Sequence, residues 1–105
     1  MKPLILPNPL LFEWDEGNNT KNLLKHGISM DECESAFRSS TIFIQPDLIH
    51  SSTESRFTLF AHARNLKPLI VIFTIRNNSV RVISARSMHK KEIRFYEEEA
   101  RSAKI

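Results

Sequence analysis

Residues 69–75, Leu-Ile-Val-Ile-Phe-Thr-Ile, are apolar on both alternating sides. A strand with two apolar faces belongs in the middle of a sheet. The segments around it supply its neighbours. Residues 41–45 form an apolar run ended by Pro46. In residues 56–64, Phe57, Leu59, Ala61 and Ala63 alternate with Arg56, Thr58, His62 and Arg64, Phe60 being the exception. Residues 80–85 alternate less cleanly. Asn77-Asn78 is a two-residue hairpin turn, because Asn tolerates positive φ. Consecutive strands joined by short turns predict an antiparallel sheet.

The flanks read as helices and one further strand. Residues 10–14, Leu-Leu-Phe-Glu-Trp, predict a short strand. Asp15 can cap a helix from Glu16 to His26, with Gly27 as its left-handed stop, although Gly17 and Asn18-Asn19 weaken its first turn. Ser29-Met30-Asp31-Glu32 is a capping box opening a second helix, with Ile28 and Cys33 placed as a hydrophobic staple. Residues 88–103 predict a last helix, with Ile93, Tyr96, Ala100 and Ala103 on one core-facing stripe. The expected fold class is therefore α+β, in the order β-α-α-β-β-β-β-α: an antiparallel sheet with two N-terminal helices and one C-terminal helix.

Composition narrows the function. At 105 residues the chain is expected to be one domain. Two glycines exclude a nucleotide-binding glycine loop, and the lone Cys33 excludes an internal disulfide and a multi-cysteine zinc site. His50, His62 and His89 lack metal-ligand spacing, so neither metal nor cofactor is expected. The first seven residues begin like a signal peptide, but prolines interrupt them and no cleavage site follows. No apolar run is long enough to span a bilayer, so the chain reads as soluble and cytoplasmic.

The halves of the chain carry opposite charge. Residues 1–60 hold five Lys/Arg and eight Asp/Glu, and residues 61–105 hold ten and four. A basic C-terminal half suits a polyanion partner, and also suits a merely solvated surface. Its densest cluster is Arg81, Arg86, Lys90, Lys91 and Arg94. Lys90 and Lys91 sit at the positive end of the last helix, against its dipole, which favours a phosphate site over stability alone. A hairpin turn at 77–78 pairs Arg76 with Ser79 and Thr74 with Arg81, giving Arg76 and Arg81 one face. Simple alternation sends Arg86 to the other face, so a groove holding all three requires a bulge or bend. Lys25-His26 ends the first predicted helix, either as a proton-transfer pair or as cations suited to the helix dipole. Glu54 and Arg56 read as an ion pair or a substrate contact, the ion pair being favoured.

Phe12-Glu13-Trp14-Asp15, Lys21-Asn22, Lys25-His26-Gly27-Ile28-Ser29 and Ala36-Phe37 resemble the N-terminal pattern of the BrnT toxin family. Glu54-x-Arg56, Val71-x-x-Thr74-x-Arg76, Arg81-Val82-Ile83-Ser84-Ala85-Arg86, Glu92 and Tyr96 resemble the rest of it, over about residues 11–97. The resemblance implies a RelE-like fold and a type II toxin: a metal-independent endoribonuclease that cleaves RNA and inhibits translation. It implies a BrnA-like antitoxin with a ribbon-helix-helix DNA-binding part, which carries the toxin to operator DNA. On chemical type, Arg76 and Arg86 are the transition-state cations and Lys25 or His26 the general base or acid. Arg56, Arg81, Lys90, Lys91 and Tyr96 are the RNA contacts. The alternative is a catalytically inactive toxin-like module acting in antitoxin binding and operon autorepression. The chain departs from the family pattern in its 1–9 extension. It also lacks a glycine in Ala61-His62-Ala63, where the family usually has one.

Overall fold

A computed structural model describes residues 4–18, 26–49 and 54–102. Helix α1 is Met30–Phe37; strands β1 Phe43–Pro46, β2 Phe57–His62, β3 Pro68–Arg76 and β4 Ser79–Ser87 follow; helix α2 is Lys90–Ser102. The sheet is an antiparallel meander in the order β1-β2-β3-β4. The apolar-on-both-sides segment is β3, in the interior of the sheet as its sequence requires.

Each face of the sheet has its own core. On one face Leu59, Ala61, Leu69, Val71, Phe73, Val80, Val82 and Ala85 cluster with Ile28, Cys33, Ala36 and Phe37 of the α1 region. Leu4, Leu6, Leu10, Phe12 and Trp14 of the N-terminal segment pack against that cluster. The opposite face is smaller: Ile70, Met88 and Tyr96, with Phe43, Phe60, Ile72 and Ile93 against them. Among the described residues the arrangement is three layers, with α2 on the second face.

The local signals at α1 appear as read. Ser29 Oγ accepts from the Glu32 N–H at 3.1 Å, and the Ser29 N–H donates to Glu32 Oε1 at 3.0 Å. That backbone bond is the main reason the Glu32 carboxyl titrates below its usual range. Gly27 takes φ +71, a left-handed conformation that glycine adopts without strain. Cys33 is buried, and burial pushes its thiol up to about 12, leaving it a small apolar side chain. Ser29→Ala removes one cap bond and is expected to cost about 1 kcal/mol in urea unfolding, with Ser29→Asp restoring most of it. Equal midpoints for wild type and Ser29→Ala would show that the box carries no stability.

The predicted N-terminal half needs correction. Among the described residues there are two helices, α1 and α2, and only one precedes the sheet; the expectation of two N-terminal helices is overturned. Of the expected Glu16–His26 helix, residues 16–18 form a turn and residues 19–25 lie outside the described residues. The expected strand at 10–14 is a single parallel bridge, Phe12 to Val80, made by Glu13 N–H to Val80 C=O and Val80 N–H to Leu11 C=O, each at 2.8 Å.

Asn18 supplies the physical reason. It is 2% exposed, and its Nδ2 donates to the carbonyls of Val82 at 2.9 Å and Glu13 at 3.1 Å, while its Oδ1 accepts from the Asp15 N–H at 2.8 Å. With its side chain committed to the sheet edge, Asn18 closes the turn of residues 16–18 onto β4. Gly17 allows the close approach: a Cβ there would lie 3.1 Å from Arg81 Nη2.

Candidate active site

The β3–β4 hairpin decides which side chains meet. Asn77 and Asn78 both have positive φ, 52° and 61°, matching the strand twist. Arg76 pairs with Ser79 and Thr74 with Arg81, as the sequence predicts. The register then slips. Phe73 faces Val82 but Ile72 faces Ser84, leaving Ile83 as an extra residue. Ile70 consequently faces Arg86. Ile70, Ile72, Thr74 and Arg76 alternate onto one face of β3, so Arg81, Ser84 and Arg86 share that face. The slip is the bulge that a common arginine face requires. It also keeps Val80, Val82 and Ala85 together in the opposite core. Four residues of β3 separate the Arg81 and Arg86 rungs, about 13 Å along the strand.

Each arginine meets a carboxylate. Arg86 makes two parallel bonds to Glu92, Nη1–Oε1 and Nη2–Oε2, both at 2.8 Å. Glu92 Oε1 also accepts from the His89 N–H at 2.7 Å, capping α2. The anion at this helix start is thus the chain's own Glu92, and Lys90 and Lys91 stand exposed beside it. The Arg86 hydrogen bonds, helped by the His89 N–H and opposed by burial, pull the Glu92 carboxyl from 4.5 down to about 2. The same pair holds Arg86 above its ordinary value.

Arg81 is the most enclosed of the three, its side chain 14% exposed. Its Nη1 reaches Glu13 Oε1 and Asp15 Oδ2, each at 2.8 Å, and its Nη2 reaches Asp15 Oδ1 at 3.0 Å. Those bonds raise Arg81 and lower Asp15 from their usual ranges. Arg81 therefore ties the N-terminal segment to the sheet. Arg76 is more open, 46% exposed; its Nη2 meets Glu54 Oε1 at 3.0 Å and its Nη1 lies 3.7 Å from Glu13 Oε1.

The other predicted residues are more scattered. Lys25 lies outside the described residues, and His26 is exposed just before Gly27. Arg56 is half-buried, and its carbonyl accepts from the Asp47 N–H at 2.8 Å. Glu54 pairs with Arg76 across the sheet end. Tyr96 is buried, donates its hydroxyl to the Thr41 carbonyl at 2.7 Å, and meets Phe43 edge-on at 5.7 Å. The sequence did not mark Glu13, Asp15 and Glu92 as arginine partners, and it linked Glu54 to Arg56 without foreseeing its bond to Arg76. The only local signal among them is Glu92, three residues after the helix cap position at His89.

The Glu92–Arg86 pair has a pH signature. A carboxyl depressed in the folded state stabilises it above its unfolded value of about 4.5, and that contribution fades as pH falls toward 2. With the side chain 27% exposed, screening trims it to about 1–2 kcal/mol. Glu92→Gln is expected to unfold earlier in urea than wild type at pH 7 and alike at pH 2. A gap of equal size at both pH values would rule out the ion pair as its origin.

An antiparallel sheet bearing three arginines on one face, each met by a carboxylate, with a helix laid across the same face, defines a small α+β protein. The family model for the ribonuclease toxin BrnT of type II toxin-antitoxin systems matches residues 14–92. The chain belongs to that family, and the matched span holds all three arginines and Glu92. No curated protein matches the chain. Among the described residues no helix is long and apolar enough to cross a membrane.

Proposed function

We propose that this chain is a metal-independent endoribonuclease that cleaves RNA and inhibits translation in the cytoplasm. A BrnA-like antitoxin with a ribbon-helix-helix part neutralises it, and the pair represses its own operon. The observation that carries the chemistry is the common face of Arg76, Arg81 and Arg86. A 2′-hydroxyl attacks the adjacent phosphorus, the P–O5′ bond breaks, and a 2′,3′-cyclic phosphate remains. The pentavalent phosphorane gathers negative charge, which guanidinium groups stabilise through paired hydrogen bonds. Arg76 and Arg86 are the two more exposed arginines and take this role. The more open Arg76–Glu54 pair is worth about 0–1 kcal/mol and the Arg86–Glu92 pair about 1–2 kcal/mol, so a phosphate can replace them. Arg81 supports the face, Arg56, Lys90 and Lys91 hold the RNA backbone, and Tyr96 backs the face from within. Lys25 or His26 moves the proton.

One observation favours the alternative of an inert antitoxin-binding module: all three arginines are already met by the chain's own acids. RNA cleavage separates the two. The purified chain in EDTA is expected to cut RNA and leave cyclic phosphate ends, alone or on translating ribosomes. Intact RNA under both conditions rejects the enzyme and leaves the module.

A further inference from the structure

A cavity of about 230 Å³ opens between the start of α2 and strands β1 and β2, lined by Gln45, Phe60, Lys91, Glu92 and Phe95. Its two rings are the residues that break their elements' patterns. Phe60 is the apolar exception on the polar side of β2. Phe95 lies beside the core stripe of Ile93 and Tyr96 and is only half-buried. The two rings meet at 5.3 Å with their planes 60° apart, forming an apolar wedge.

The wedge is continuous with the arginine face. Glu92 forms its wall and is itself the partner of Arg86 at 2.8 Å. Phe60 lies on the same face as Arg86, since both flank Ile70 in the ladder. Exposed Lys91 and Gln45 stand at its rim. An aromatic wedge with an amide and an ammonium group beside a guanidinium has the makings of a single-stranded RNA site. Such sites stack an unpaired base on a ring, read its edge with an amide and hold the backbone with a cation.

We infer that this cavity is a base-binding subsite of the RNA substrate. One nucleobase stacks on Phe95 and meets Phe60 edge-on, and the Gln45 amide bonds its edge. Lys91 takes the adjoining phosphate. The subsite fixes which nucleotide lies next to Arg86, so it sets sequence preference. It rests on the ribonuclease reading for its substrate, and its test is independent of cleavage.

The test uses the full chain and a fluorescent 2′-O-methyl RNA oligonucleotide, which lacks the attacking hydroxyl. Anisotropy is read for the intact oligonucleotide and for versions with one abasic residue moved along it. Wild type is expected to lose about tenfold in affinity at one abasic position. Phe95→Leu keeps apolar packing without a π face; it should bind the intact oligonucleotide about tenfold more weakly and no longer sense the abasic residue. Thermal unfolding checks that this variant is folded, and Gln45→Ala, at an exposed position, should alter which base is preferred. No binding by wild type, no sensitive position, or sensitivity that persists in Phe95→Leu overturns the subsite. Parallel cleavage of ordinary RNA keeps the two readings apart. RNA left uncut both alone and on translating ribosomes, with a Phe95-dependent base effect, rejects the nuclease and keeps the subsite. Cut RNA with no such effect does the reverse.

Discussion

Arg86→Ala is expected to lower RNA cleavage about 100- to 1000-fold while the chain stays folded. The loss comes from the transition state, where a guanidinium matches two phosphorane oxygens and an alanine offers nothing. Arg86→Lys should recover only part of it, because an ammonium group is a point charge without the planar fork. Arg76→Ala should act in the same direction. Arg86→Ala also strands the Glu92 carboxylate, but that group keeps the His89 N–H and partial access to water, so the fold survives. Glu92→Gln is the matching control. It disrupts the same ion pair yet leaves the guanidinium in place, so it should keep far more cleavage than Arg86→Ala. Single-turnover cleavage at matched protein concentration, with circular dichroism alongside, reads all four variants. Full activity in Arg86→Ala would remove this arginine from the chemistry.

Phe73→Ala is expected to cost about 3–5 kcal/mol of stability. Phe73 is fully buried, and its ring meets Phe37 of α1 at 4.9 Å and Phe57 of β2 at 5.6 Å, the first of these edge-on. It also sits at the register slip, paired with Val82. Emptying this position leaves a cavity between the helix layer and the sheet just where the arginine face is set. Domains of this size hold about 5–15 kcal/mol in total, so the variant should be partly unfolded at 37 °C. Urea unfolding at 25 °C measures the loss; a change below about 1 kcal/mol would mean that the neighbouring rings close over the gap.

Much of the fold is legible because its signals are local. The capping box at Ser29 and Glu32 closes within four residues, and the turn at Asn77-Asn78 fixes the first rungs of its hairpin. The apolar seven-residue run can only be an inner strand. The misread segment is the N-terminal one. Residues 10–18 carry the marks of a strand and a helix start, but Asn18 bonds to Val82, 64 residues away, and that long contact overrides weak local preference. Glu13 and Asp15 likewise act on Arg81, more than 60 residues distant.

The candidate site divides along the same line. Residue types and spacing alone named Arg76, Arg81 and Arg86 and paired the first two on one face. The position of Arg86 depended on the slip at Ile83. Simple alternation hides that slip, because Val82 and Ile83 are both apolar and β3 is apolar on both sides, so neither strand marks the break in period. Uneven alternation in residues 80–85 was its only trace. The slip arises because Val80, Val82 and Ala85 must all enter the core beneath α1, at spacings of two and then three residues. Chain order and pairwise turns were therefore set by the amino-acid sequence read locally. The union of the three arginines, and the meeting of Phe60 with Phe95, came from packing two layers against one sheet, since only burial on both faces decides which side each side chain takes.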